Sequence, residues 1–148
     1  EESDKLGIDA LLVVDIPGEL KLDSYGISNP NIDTISLISP TTADTRIKQI
    51  TENSSGFIYY VNLRGVTGSS NLDMTEIEQN ISKIRQYTSI PTLAGFGIKT
   101  PSDAKILAKC ADGVIVGSSI VEMIDAVKET KDFSKIEEYL KDLNRAIN

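Results

Sequence analysis

Three segments combine glycine with short polar residues in a way that could hold an anion. They are Arg64-Gly65-Val66-Thr67-Gly68, Gly95-Phe96-Gly97 and Gly117-Ser118-Ser119. Each follows an apolar run. Glycine lets backbone N–H groups approach a ligand with no Cβ in the way. Gly117-Ser118 also opens a helical pattern, where unpaired amides and the helix dipole favour negative charge. A single glycine after a strand is most often only a turn. The grouping at the last three strands is what points to a bound phosphate. No GxGxxG follows the first strand and no GxxxxGK[ST] occurs, which argues against dinucleotide and nucleotide-triphosphate folds.

The carboxylates say less. Asp15 is the one acid placed at a strand's carboxyl end, where it suits either a general base or a turn cap. Asp44, Asp73 and Asp103 stand at helix starts and read as capping residues. Glu76, Glu78, Glu137 and Glu138 read as solvated helix faces. Cys110 lies on the apolar side of a helix and reads as core. Lys99 follows Gly97 in a loop, whereas Schiff-base chemistry wants a lysine buried on a strand. Arg64 suits either anion binding or solvent.

Composition narrows the classes. The 148 residues include no His and one Cys, so His-based triads, His zinc sites, disulfides and Cys-rich clusters are excluded within them. A net charge of −7 argues against nucleic acid. No apolar run has membrane length and no signal-peptide pattern is present, so a reduced, cytoplasmic setting is expected.

The elements that must position these loops follow from periodicity. Leu6-Gly7 predicts a helix end with Gly7 as left-handed cap. Ile8–Val14 is a nearly continuous apolar run and predicts a strand buried on both faces. Ile32–Ile38, Phe57–Val61, Pro91–Phe96 and Gly113–Val116 predict four more strands. Helices are predicted over Thr42–Ile50, Asp73–Tyr87, the segment opened by Thr100-Pro101-Ser102-Asp103, Ser119–Lys128 and Ser134–Ala146. The last would place Ile136, Leu140, Leu143 and Ile147 on one stripe. Alternating strands and helices imply an α/β fold with a parallel sheet, either open and doubly wound or part of a (β/α)₈ barrel. Ligands in both gather at the strands' carboxyl ends.

Four motifs carry a family resemblance. Gly7-Ile8-Asp9-Ala10-Leu11-Leu12-Val13-Val14-Asp15-Ile16-Pro17 resembles the fourth strand of tryptophan synthase alpha chains. The run from Gly56 through Tyr59-Tyr60-Val61 to Arg64-Gly65-Val66-Thr67-Gly68 resembles the sixth strand and its loop. Pro91–Gly97 resembles the seventh, and Ala111–Val121 the eighth. The order and spacing match over essentially the whole chain. The resemblance implies a TIM barrel of which residues 1–148 supply about five strands, as the C-terminal portion of a single domain. It implies retro-aldol cleavage of indole-3-glycerol phosphate to indole and glyceraldehyde 3-phosphate, and a beta-chain partner in an alpha2beta2 assembly. No cofactor is implied for this chain; PLP belongs to the beta chain. Membranes and nucleic acids are not implied as partners.

Residue by residue, the resemblance implies that amides of Gly68, Gly97, Gly117 and Ser118 bind the substrate phosphate. Leu12, Tyr59, Phe96 and Ile115 line the indole pocket, and Thr67 sits on a loop that closes over it. The family's catalytic Glu and Asp come from the second strand and its loop and have no counterpart here; Asp15 matches a different aspartate. A barrel of this type needs roughly 250 residues. The 148-residue chain is therefore expected to be inactive alone. Two other readings remain at this stage: a non-catalytic barrel fragment that self-associates, and another phosphate-binding barrel lyase or isomerase.

Overall fold

The structure, a computed structural model, describes residues 5–27, 29–61, 73–95 and 97–148. Five strands, β1 (Ala10–Leu12), β2 (Asp33–Ile38), β3 (Ile58–Val61), β4 (Thr92–Gly95) and β5 (Gly113–Val114), form one sheet in chain order. Every neighbouring pair is parallel. The helices are α1 (Asp44–Glu52), α2 (Met74–Ile84), α3 (Pro101–Leu107), α4 (Ser118–Val127) and α5 (Ser134–Ile147). This is the α/β order expected from the sequence.

The core lies between the sheet and its helices. Successive strand residues face opposite sides, and burial follows that alternation. Ser36, Ile38, Ile58, Tyr60, Thr92 and Ala94 are buried, whereas Leu37, Tyr59, Val61, Leu93 and Gly95 between them are only partly covered. Ile47 and Ile50 of α1, Ile77, Ile81 and Ile84 of α2, Ala104 and Leu107 of α3, and Ile98, Cys110, Ala111 and Leu143 belong to the same core. Burying a side chain such as Ile81 fully is worth about 1.5–3 kcal/mol relative to leaving it exposed. Parallel sheets ordinarily have both faces covered; here the described residues cover one.

Cap chemistry sets two helix starts. The Asp73 carboxylate accepts from the amides of Thr75 and Glu76 at 3.0 and 3.1 Å. Thr100 and Asp103 form a reciprocal capping box with Pro101 at the first helical position. Gly7 takes the left-handed conformation expected of it, with φ +69°.

Several expectations are corrected. The first strand is not buried on both faces: it is three residues long, pairs among the described residues with β2 alone, and leaves Val14 65% exposed. Among the described residues its connection to β2 carries a 3₁₀ turn, Leu22–Tyr25. Asp44 does not cap its helix; Ala43 occupies that position, and Asp44 pairs instead with Lys83 on α2. On α5 Ile136 and Leu143 are buried and Tyr139 packs against the core, while Leu140 and Ile147 are exposed; the helix docks on α3. No described helix is long and apolar enough to cross a membrane.

Candidate functional site

The carboxyl ends of β4 and β5 converge on one small polar surface. After β4 the chain turns at Gly97, whose φ of +62° is left-handed, and Ile98 then plugs into the core with 3% exposure. After β5 it enters α4 directly, with Gly117 at the N-cap and no side-chain cap hydrogen bond. Ser119 Oγ donates to the carbonyl of Ile98 at 2.8 Å and joins the two loops. Gly97, Gly117 and Ser118 are all exposed, and a Cβ at either glycine would meet nothing within 4 Å. The first turn of α4 thus opens beside Gly97 with room for an anion.

Charge and hydrogen bonding brace this surface. Asp103 Oδ2 accepts from the amides of Lys99 and Thr100 at 3.1 and 2.8 Å. Burial alone would push its carboxyl up, but those amides, the Thr100 hydroxyl and the charge of Lys99 outweigh it and hold the group below its ordinary range. Tyr139 Oη donates to the Lys99 carbonyl at 3.1 Å.

An apolar strand face adjoins the loops. Register pairs Leu12 with Ile35, Leu37 with Tyr59, Tyr59 with Leu93, and Val61 with Gly95. The Ile115 amide bonds to the Ala94 carbonyl at 2.8 Å, continuing the ladder beyond β5. Leu12, Tyr59 and Ile115 therefore share the face turned away from the helices, at successive rungs toward the Gly97 end. The Tyr59 ring lies over Gly95. Thr67, Gly68, Phe96 and Arg64 lie outside the described residues.

Asp15 is exposed in the turn after β1, and Lys99 is exposed in its loop. Cys110 is buried, donates to the Leu107 carbonyl at 3.3 Å, and has its thiol pushed up by burial and by Glu78. Among the described residues no three His, Cys, Asp or Glu side chains are grouped as a metal ion would need. Clefts of about 230 and 180 Å³ lie beside the β1–β2 connection, and neither is lined by Gly97, Gly117 or Ser118.

The sequence model of the family described as tryptophan synthase alpha chain matches residues 1–148. The chain belongs to that family. It is 38% identical over 152 residues to the alpha chain of Thiobacillus denitrificans, covering 100% of this chain and 55% of that one. It is 40% identical to the alpha chain of Nitrosomonas europaea, covering 96% and 52%. The crystal structure of the alpha subunit from Legionella pneumophila superposes with a TM-score of 0.80 at 31% identity, over 99% of this chain and 54% of that one. The chain thus spans about half the length of the tryptophan synthase alpha chains it matches. The structural neighbours identify its five parallel strands as part of a TIM barrel.

Two residues of this surface were not singled out by sequence reasoning. Ser119 was visible only as the third residue of Gly-Ser-Ser. Tyr139 lies forty positions from its acceptor, so only the docking of α5 reveals it.

Proposed function

We propose that these residues form the C-terminal five strands of a barrel that cleaves indole-3-glycerol phosphate in tryptophan biosynthesis. Amides of Gly68, Gly97, Gly117 and Ser118 hold the phosphate, and Leu12, Tyr59, Phe96 and Ile115 contact the indole. Thr67 belongs to the segment that closes over the bound substrate. The observation that carries the reading is the junction at Gly97 and Gly117, where an uncapped helix start and a left-handed glycine are tied together beside an apolar strand face. Family membership supports the choice of substrate.

The reaction breaks the bond between the indole ring carbon and the first glycerol carbon. The ring carbon gains a proton, and the hydroxyl on the glycerol carbon loses one as it becomes the aldehyde. Each assisted proton transfer is typically worth about 10²–10⁴-fold. The phosphate grip orients the substrate, and the apolar face receives the ring. Proton transfer falls to a Glu and an Asp outside this chain. The chain needs no cofactor of its own; the indole passes to a PLP-dependent beta chain in an alpha2beta2 assembly in the cytoplasm.

Indole release from indole-3-glycerol phosphate tests the reading. The intact protein carrying these residues should release indole, and the purified 148-residue chain should not. Release above background by the short chain would overturn the division of labour.

A second reading has its own support. The open strand face and the unpaired side of β1, with Leu12 39% and Val14 65% exposed, favour self-association of the short chain. Sedimentation at several concentrations decides it, because a monomer throughout would remove that reading.

A further inference from the structure

We infer that Ser119 and Tyr139 are positioning residues that set the spacing between the Gly97 loop and the first turn of α4. The inference rests on the phosphate reading above. It starts from the backbone groups already committed just after Gly97. The Ile98 carbonyl accepts from Ser119 Oγ at 2.8 Å. The Lys99 carbonyl accepts from Tyr139 Oη at 3.1 Å. The Lys99 and Thr100 amides donate to Asp103 Oδ2 at 3.1 and 2.8 Å. Three helices, α3 through Asp103, α4 through Ser119 and α5 through Tyr139, therefore hold three consecutive residues.

The need for this bracing follows from how backbone amides bind anions. Side-chain donors can change rotamer to follow a ligand, but a backbone donor moves only with its loop. Useful N–H···O distances span only about 2.7–3.2 Å. Gly97 sits in a conformation open to glycine at little cost, so it is the natural place for the loop to swing. Ser119 closes that freedom from within the helix whose own first turn faces the anion. Tyr139 closes it from α5, where its ring is packed against the core. The two hydroxyls grip adjacent carbonyls, so neither can substitute for the other.

The test uses inorganic phosphate and the intact protein carrying these residues. Calorimetry gives the affinity, and amide NMR shifts of Gly97 and Gly117 report whether the loops respond. Ser119→Ala and Tyr139→Phe should each weaken phosphate binding by roughly 2- to 10-fold, the usual worth of one neutral hydrogen bond. Both should reduce the phosphate-induced shifts at Gly97 and Gly117. Ser119→Thr keeps the hydroxyl and should retain wild-type affinity. Variants that lower Tm yet bind phosphate as the wild type does would overturn the positioning role and leave the anion site standing. A Ser119→Thr protein as weak as Ser119→Ala would overturn it too. If wild-type Gly97 and Gly117 do not respond to phosphate, the site itself fails and the inference falls with it.

Discussion

The ring of Tyr59 occupies the space that a side chain at Gly95 would need. A Cβ built on Gly95 would fall 2.6 Å from Tyr59 Cε2 and 2.7 Å from its Oη. The two residues lie on adjacent strands, with Tyr59 level with Leu93 and leaning toward the next rung. The glycine is thus required by a neighbour's ring rather than by its own backbone conformation.

Gly95→Ala should accordingly push the Tyr59 ring off its seat and over the open strand face. The atoms met are the far end of the ring, so the cost in stability should stay within about 1–3 kcal/mol, the usual range for overpacking. Indole affinity should fall by more than phosphate affinity. Parallel titrations with indole and with inorganic phosphate check this, and equal losses would count against Tyr59 as a pocket residue.

Gly97→Asp should abolish phosphate binding by two routes. The left-handed φ of +62° costs a non-glycine residue roughly 1–2 kcal/mol. The new carboxylate would also stand where the anion is expected. Gly97→Ala separates the routes, since it adds strain without charge and should weaken binding only partly. Unchanged phosphate affinity in Gly97→Asp removes Gly97 from the site.

Removing the capping box should loosen the same loop. Thr100→Ala deletes the hydroxyl that accepts from the Asp103 amide at 3.2 Å and should cost about 1 kcal/mol in stability. Asp103 adds an acid-side dependence. Its folded-state carboxyl lies below the ordinary 3.8, so its contribution is present above that value and lost as pH falls through the lowered folded one. Denaturant midpoints from pH 5 to pH 2 should fall less steeply in Asp103→Asn than in the wild type.

Tyr60 predicts the alkaline counterpart. Burial pushes its phenol up to about 12 from the ordinary 10; Asn80 opposes this through a hydrogen bond, and Glu76 and Cys110 add to it. The neutral ring is favoured in the fold, so stability is complete below pH 10 and is lost as pH rises toward 12. At about 1.4 kcal/mol per pH unit the loss is on the order of 3 kcal/mol. Tyr60→Phe should flatten the stability profile across that window, and an unchanged slope would show that the phenol is not its source.

What the sequence by itself determined is the local grammar. Short apolar runs located five strands, and period-3.6 patterns located the helices, among the described residues. Thr100-Pro101-Ser102-Asp103 specified a helix start, and Gly-rich segments marked the carboxyl ends of the last strands, because these signals act between residues a few positions apart. Asp44 and the α5 stripe were misread from sequence, since their partners, Lys83 and α3, come from other elements. The tertiary structure alone decided which faces are covered. Only the packed sheet brings Ser119 to Ile98, Tyr139 to Lys99 and Tyr59 over Gly95. Those contacts span up to forty positions. No local periodicity encodes such a distance; the register of neighbouring strands and the docking of α5 do.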